Sequence, residues 1–274
     1  MHPSALPSPL AFVFDRLRAI NPSWDVIVGE PEGPLWIRGT DLSTPERGKL
    51  RELLDRIGTR LETSNRKIVA AAFALRFGWS SAAAIGPYLV ARCVPDLRLE
   101  NTSLRFGEST LFERAAIHRP RGAMLRSDVG AAHPDVTVVD DLSALRDHLR
   151  DVLVAHARPV VDGLYSWSRF PKRAIWGQIF SSWGTPMTQI LSSTGTTTAE
   201  GAAEVATAFF DDPRPEFAMR PRFYTVTSRG ESRAYHRRGS CCLYYKLPKG
   251  SLCASCPLLP SGDASRALAG RGRG

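Results

Sequence analysis

Apolar residues recur at helical spacing over most of the chain, and this pattern predicts a mainly helical protein. Ser43 and Glu46 fit a capping box, so a helix is expected to begin there. Pro159 and the segment 184–186 should interrupt later helices. The predicted helices are Leu10–Ile20, Ser43 to about Ile57, Leu61–Phe77, Ser80–Val94, Leu142–Leu153, Val160–Trp167, Pro171–Leu191 and a last one capped by Thr198 that ends at Phe210.

Shorter segments alternate or are rich in β-branched residues, which is typical of strands. These segments are Leu104–Ile117, Val136–Val139, Phe223–Thr227 and Ala234–His236. The expected fold class is therefore α+β and mainly helical, with a helical body, a small antiparallel sheet and a separate C-terminal lobe. The expected division of the chain is an irregular N-terminal lobe (1–60), the helical body (61–220), the C-terminal lobe (221–260) and a disordered basic tail (261–274).

Two features of the sequence bear on location. The N-terminal residues lack a basic segment followed by an apolar run and a small-residue cleavage site, so no signal peptide is expected. The most apolar stretch, 68–94, contains Arg76 and Arg92 and is broken by Gly78 and by Gly86-Pro87. It is expected to form two buried helices and no transmembrane segment. A cytoplasmic protein is predicted.

Charge is concentrated near the C-terminus. The formal net charge is +9 and the isoelectric point is about 9.7. Between 222 and 249 there are seven basic residues and a single acid, Glu231. Such a field suits an anionic partner, either a nucleic acid, an acidic protein or a negatively charged small molecule. Charge alone does not choose among these three kinds of partner.

Four of the five cysteines fall within sixteen residues at the end of this basic segment, as Cys241-Cys242, ten residues, and then Cys253-Ala254-Ser255-Cys256. In a cytosolic protein such a cluster indicates a metal site more than disulfides. The turn expected at 248–250 would bring the two pairs together. Zinc bound by four cysteines competes with an iron-sulfur cluster, but neighbouring side chains diverge, which favours the larger binuclear cluster. Cys93 is expected to be buried and inert.

The cysteine segment resembles a known family. The run from Cys241 to Pro248, Cys-Cys-Leu-Tyr-Tyr-Lys-Leu-Pro, and the run from Cys253 to Leu258, Cys-Ala-Ser-Cys-Pro-Leu, are similar to the C-terminal signature of the FhuF-like ferric siderophore reductases. The segment Arg173 to Gly177 resembles a Trp-Gly helix of the same family. The specific part covers about 237–258, and the first third of the chain adds nothing to it.

This resemblance implies an oxidoreductase. Cys241, Cys242, Cys253 and Cys256 would ligate a 2Fe-2S cluster in the lobe 221–260, and the body 61–220 would bind the ferric siderophore. The cluster would pass one electron to iron(III), releasing iron(II) in the cytosol. The sequence has no nicotinamide, flavin or phosphate-loop signature, so a ferredoxin or a flavoprotein reductase would supply electrons. No nucleic acid is then expected as a partner.

Four basic residues are candidates for docking the chelate or the donor. Arg237 and Arg238 precede the first cysteines, although ordinary solvated arginines fit equally well. Lys172 and Arg173 stand in the first turn of a helix, where positive charge opposes the helix dipole. That unfavourable position suggests binding, and two exposed residues are the plainer explanation. His236 is an alternative ligand that a full set of four cysteines makes unnecessary.

The second hypothesis belongs to another class. A zinc-stabilised nucleic-acid-binding protein would use the same cysteines for zinc and the basic segment for phosphates, with Tyr235, Tyr244 and Tyr245 as stacking groups. A third hypothesis, a siderophore-handling protein that has lost its cluster, is disfavoured by the four intact cysteines. Metal content separates the first two.

Overall fold

The chain divides into two compact units, each made of two separate stretches of sequence. The first unit comprises Met1–Thr40 and Ser80–His156, and the second comprises Asp41–Trp79 and Ala157–Gly274. This division does not follow the linear order of lobes expected from the sequence. The computed structural model describes residues 8–20, 22, 25–195, 197–228 and 230–260. The predicted disordered tail, 261–274, lies outside the described residues.

Short strands dominate the first unit. Its helices are α1 (Pro9–Ile20), α4 (Ala82–Ala91) and the beginning of α5 (Leu142–Ser168). Its strands are β1 (Val26–Val28), β2 (Trp36–Arg38), β3 (Cys93–Pro95), β4 (Thr102–Phe106), β5 (Phe112–Ile117), β6 (Gly122–Leu125) and β7 (Val136–Val139). They form a four-stranded sheet in the order β1-β5-β4-β2 and a three-stranded sheet in the order β3-β6-β7. Pairs β1–β5 and β6–β7 are parallel, so these sheets are mixed.

The second unit is built around one buried helix. Its elements are α2 (Gly48–Arg60), α3 (Arg66–Gly78), the end of α5, α6 (Lys172–Ser193), α7 (Ala199–Phe210), β8 (Arg222–Ser228) and β9 (Glu231–Arg237). Helix α6 packs against α3, α7 and β9. Phe180 of α6 stacks on Phe217 with ring centroids 4.6 Å apart and lies 4.8 Å from the ring of Trp183. This aromatic core holds α6 beside the C-terminal hairpin.

Several boundaries differ from the prediction. The predicted helix Ser80–Val94 ends at Ala91 and continues through Pro87, and Cys93 and Val94 lie on strand β3. Helix α2 begins at Gly48, and its N-cap Arg47 makes no side-chain capping bond, so the predicted capping box at Ser43 is wrong. Helix α5 continues through Pro159, and α6 continues through Pro186. In α5 the buried residues Val160, Val161 and Leu164 follow the proline directly. Their burial offsets the single backbone hydrogen bond that a proline removes.

Other expectations are confirmed. Thr198 caps α7 by accepting from the backbone N–H of Gly201, and β7 spans the predicted residues. The mainly helical α+β class is confirmed, although the sheets are more extensive than one small antiparallel sheet. The stretch Arg66–Ala91 is long and apolar enough to cross a membrane by length and composition, yet 78% of its most apolar window is buried. Such burial is what the core helices of a water-soluble protein show.

Candidate metal centre

The hairpin β8–β9 leads into the cysteine segment and has two different faces. Its register pairs Phe223 with His236 and Arg222 with Arg237. Because successive side chains of a strand alternate between faces, the two pairs lie on opposite sides. Phe223 stacks on Phe210 of α7 at 5.4 Å, which turns the arginine face away from that helix.

Ser240, directly before the first cysteine, is fastened to helix α6. Its hydroxyl donates to the carbonyl of Ala174 at 2.9 Å and accepts from the amide of Gln178 at 2.5 Å. Gln178 is fully buried and Ser240 nearly so. A Cβ atom on Gly177 would lie 2.7 Å from the Ser240 hydroxyl, so the Trp-Gly segment singled out by the sequence is the one that touches the cysteine segment.

Gly239 permits a second close approach. A Cβ atom at this position would lie 1.8 Å from the carbonyl oxygen of Met219, a distance at which a side chain cannot fit. Met219 ends the short helical segment Pro215–Met219, which packs on α6. The chain before Cys241 is therefore held from two directions.

Hydrogen bonds join the four thiols of the segment pair by pair. Cys242 is bonded to Cys253, Cys253 to Cys256, and Cys256 to Cys241. All four are free, and Cys256 is buried. The turn that brings the pairs together is closed by the N–H of Gly250, which donates to the carbonyl of Leu247 at 2.9 Å. The predicted turn at 248–250 is observed, and it brings the two cysteine pairs into contact. Ligation of one cluster by these four residues stays a prediction.

Each of these sulfurs also receives a hydrogen bond from its surroundings. The N–H of Leu243 donates to Cys241 at 3.4 Å, and backbone N–H groups of Tyr244 and Leu258 bond to Cys242 and Cys256. In all three cases the donor lies two residues after the cysteine. The fourth sulfur, Cys253, is bonded by the side chain of Ser255. Such donors stabilise negative charge on sulfur, which is the state of a thiolate that binds metal.

One residue that donates to these sulfurs has an unfavourable backbone conformation. Leu243 has φ of +61°, in the left-handed region that residues other than glycine rarely occupy. This conformation turns its N–H back to the sulfur of Cys241. Backbone strain of this kind clusters at functional sites.

Arg238 links the hairpin to the second cysteine pair. Its backbone N–H donates to the carbonyl of Ser255 at 2.9 Å, and its Nε donates to the Ser255 hydroxyl at 3.1 Å. The hydrogen bond from Cys242, together with the charge of Arg238, lowers the pKa of Cys253. The same bond, followed by burial, raises the pKa of Cys242. Arg238, Ser255 and Cys253 thus form one hydrogen-bonded series.

A pocket of about 530 Å³ lies beside this series. Among the residues that the structure describes, four arginines and no acidic residue line this pocket. The lining residues are Ala218, Met219, Arg220, Arg222, Arg237, Arg238, Gly239 and Pro257. Arg237 donates to the backbone carbonyls of Pro257, at 2.7 Å, and Leu259. It therefore fixes the chain that follows Cys256 while it lines the pocket.

The other predicted docking residues lie elsewhere. Lys172 pairs with Asp162 at 2.7 Å and lies 5.4 Å from the ring centroid of Tyr165. A neighbouring carboxylate thus offsets the unfavourable charge at the start of α6. Arg173 is exposed, and neither residue is among those that line the pocket. Docking by Lys172 and Arg173 stays a prediction.

Sequence reasoning missed two features of the site, and the structure bears on a third residue that it considered, His236. Arg222 was predicted only as part of a basic segment, because its pairing with Arg237 depends on hairpin register, and Arg220 lies outside that segment. Gln178 carried no sequence signal of its own. His236 is partly buried against Phe223, with ring centroids 5.9 Å apart, and burial lowers its pKa to about 4. It occupies the face of the hairpin opposite the arginines.

The cysteines can be compared with the ligand needs of the two metals considered above. Among the described residues, no group of three or more His, Cys, Asp or Glu side chains is arranged so that it could hold a metal ion. The four clustered thiols contact one another in pairs. Four cysteines meet the ligand count of a binuclear cluster, whose ligands are shared between two irons, and each sulfur has a hydrogen-bond donor. The residues present fit a 2Fe-2S cluster.

The comparisons agree with this chemistry. Residues 238–258 match the family model described as the FhuF 2Fe-2S C-terminal domain. This range includes all four clustered cysteines, together with Arg238 and Ser255. A search of curated protein sequences returned no match. The resemblance drawn from the cysteine spacing is confirmed over this segment: the chain carries a FhuF-type C-terminal domain, and its cofactor is a 2Fe-2S cluster.

Proposed function

We propose that this protein is a ferric siderophore reductase of the cytoplasm, which reduces chelated iron(III) to iron(II). The observation that supports it is the group of four thiols, Cys241, Cys242, Cys253 and Cys256. These thiols are hydrogen-bonded to one another, and each sulfur accepts a further hydrogen bond from its surroundings. These four residues would be the cluster ligands. The bound cluster supplies one-electron redox chemistry.

The electron balance is simple. A ferredoxin or a flavoprotein reductase gives one electron to the protein, and the protein gives one electron to iron(III) of the substrate. No bond of the chelator has to break. Hard oxygen ligands bind iron(II) less tightly than iron(III), so the metal leaves after reduction.

The chain's own residues have defined tasks in this scheme. The backbone donors at Leu243, Tyr244 and Leu258, with the hydroxyl of Ser255, stabilise charge on the sulfurs. Ser240 and Gly239 hold the segment on α6 and on Met219, so that the ligands keep their positions. The arginine pocket lies next to the second cysteine pair and supports binding of the substrate within reach of it.

The zinc-stabilised nucleic-acid binder loses its basis, because the domain that matches is a 2Fe-2S domain. Tyr244 and Tyr245 are exposed, but Tyr235 lies on β9, where it pairs with Tyr224, so the three do not follow one another as a stacking platform. No observation favours this alternative as a second candidate function.

Anaerobic single-turnover measurement tests the proposal. The protein is reduced, freed of excess reductant and mixed with a ferric trihydroxamate in the presence of a colorimetric iron(II) chelator. We expect iron(II) to appear in step with return of the oxidised visible spectrum. The variant Cys93→Ala should behave like wild type, since Cys93 lies on β3 in the other unit and alanine places no polar group in its fully buried position. Reoxidation without iron(II) would reject the reductase.

A further inference from the structure

The arginine pocket has a composition that a purely structural role does not explain. Arg220, Arg222, Arg237 and Arg238 line it together with small and apolar residues. Arg220 pairs with Asp211 at 3.1 Å, but no ion pair joins Arg222 or Arg238 to an acid within the described ranges. Positive charge therefore accumulates at one concave site.

The hairpin register adds an independent observation. Arg222 and Arg237 are direct partners across the antiparallel pair, so their side chains lie side by side on one face. Like charges directly opposite each other destabilise a sheet. Arg237 is held by carbonyls of the following chain, whereas Arg222 is exposed at the pocket. The fold thus tolerates a repulsion that an anion between the two guanidinium groups would remove.

The size of the site indicates the kind of anion. A volume of about 530 Å³ lies in the range of small-molecule pockets, roughly 300 to 1,000 Å³, whereas an acidic protein would dock on a broader surface. Guanidinium groups bind carboxylates through paired, parallel hydrogen bonds. Several arginines in one pocket suit a ligand that carries several carboxylates.

We propose that this pocket selects ferric chelates that carry carboxylate groups and a net negative charge, and that Arg222 is a specificity-determining contact. This inference rests on the proposed function and names its substrate class. Arg238 lines the pocket and is hydrogen-bonded to Ser255, which bonds to Cys253. A chelate seated there would lie next to the second cysteine pair.

Gallium(III) complexes test binding without reduction, because gallium(III) has the charge of iron(III) and is not reduced under these conditions. Gallium citrate, which is anionic, and the cationic gallium complex of desferrioxamine B are titrated by calorimetry into the cluster-containing protein. Gallium-free citrate is titrated as well, to separate the chelate from a free carboxylate. We expect gallium citrate to bind more tightly than both, and to weaken as salt is raised.

Two variants localise the effect. Arg222→Gln should weaken gallium citrate binding by at least about tenfold, because a hydrogen bond between charged partners is lost. Arg233→Gln removes an equal charge from the same hairpin, at a residue paired with Glu231 outside the pocket, and should change affinity by less than about twofold. Equal losses in the two variants, or no preference for the anionic complex, would overturn the inference.

Parallel reduction assays separate this inference from the proposed function. If gallium citrate binding depends on Arg222 but the reduced protein reduces no ferric chelate, the reductase proposal fails and the pocket stands. If ferric trihydroxamates are reduced as fast as ferric citrate, and Arg222→Gln changes neither rate, the reductase stands and the selectivity is rejected. A variant that slows only electron uptake from the donor would also reject it, by assigning the pocket to donor docking.

Discussion

The amide of Gln178 donates a hydrogen bond to the hydroxyl of Ser240, which ties the middle of a buried helix to the residue before Cys241. The distance is 2.5 Å, and the same hydroxyl donates to the carbonyl of Ala174. The position of the first cysteine pair therefore depends on helix α6 as well as on the loop that carries it. The arrangement explains why a Trp-Gly helix and a distant cysteine segment belong to one site.

Ser240→Ala should weaken this connection. The substitution leaves the buried amide of Gln178 without its partner, and we expect the free energy of unfolding to fall by about 1 to 3 kcal/mol. Urea unfolding measures it, and the spectrum of the cluster should be lost in parallel. Ser251→Ala, in the exposed part of the same segment, is the matched control. Equal stability of the two variants would refute the role given to Ser240.

Ser255→Ala should make the cluster harder to reduce. The hydroxyl bonds to Cys253 and is itself bonded by Arg238, so its removal takes a donor away from sulfur. Hydrogen bonds to the sulfurs favour the more negative, reduced state and raise the reduction potential. A redox titration monitored by EPR should show a more negative midpoint potential, with Ser251→Ala unchanged. A potential equal to that of wild type would mean that this hydroxyl does not act on the cluster.

Arg222→Gln should make the free protein slightly more stable. It removes the repulsion with Arg237 across the hairpin, which is worth about 0.2 to 1 kcal/mol. Thermal unfolding without ligand measures the change, and Arg233→Gln should give none or a small loss because Arg233 pairs with Glu231. A gain in stability together with a loss of binding is typical of a residue kept for function. Destabilisation by Arg222→Gln would indicate a structural role.

His156 should make stability depend on pH. Its Nδ1 donates to the carbonyl of Leu97 at 2.6 Å, and its Nε2 lies 2.9 Å from the Ser80 hydroxyl, which donates to it. Full burial lowers the pKa of His156 to about 4 from its ordinary 6.5. The unfolded chain therefore binds a proton that the folded chain excludes. The contribution of neutral His156 to the free energy of unfolding is therefore fully present above about pH 6.5 and is lost as the pH falls towards 4.

The expected loss from His156 is about 3 kcal/mol between pH 7 and pH 4. Urea unfolding of wild type and of His156→Gln at several pH values measures it. The variant should be less stable at pH 7 and should lose less stability than wild type on acidification. Parallel pH profiles for the two proteins would show that His156 is not the group responsible.

Much of the fold follows from local sequence patterns. The hairpin strands, the strand 136–139 and the helix capped by Thr198 were predictable because alternation and capping act over a few residues. The continuous helix through Pro159 was not, since burial of the apolar residues after it depends on tertiary packing. The division into two units, each made of two separate stretches of sequence, was also not predicted, because contacts between distant segments leave no local pattern.

The candidate site was likewise predictable in part. Cysteine spacing predicted that the four thiols meet, since a turn between two short motifs is a local feature. The pocket could not be predicted from the basic region, because Arg222 faces Arg237 only through the strand register. Gly239 lies against Met219 in the folded chain alone. Gln178 reaches Ser240 across a separation of 62 residues.

Metal and sulfide analysis of single-cysteine variants tests the central claim most directly. Anaerobically purified wild type should contain about two irons and two acid-labile sulfides per chain, and give an EPR signal after reduction with dithionite. Cys93→Ala should match it, whereas Cys241→Ser, Cys242→Ser, Cys253→Ser and Cys256→Ser should each lose the cluster or change its EPR signal. Wild-type protein that holds about one zinc ion and remains colourless after reconstitution with iron and sulfide would contradict the account.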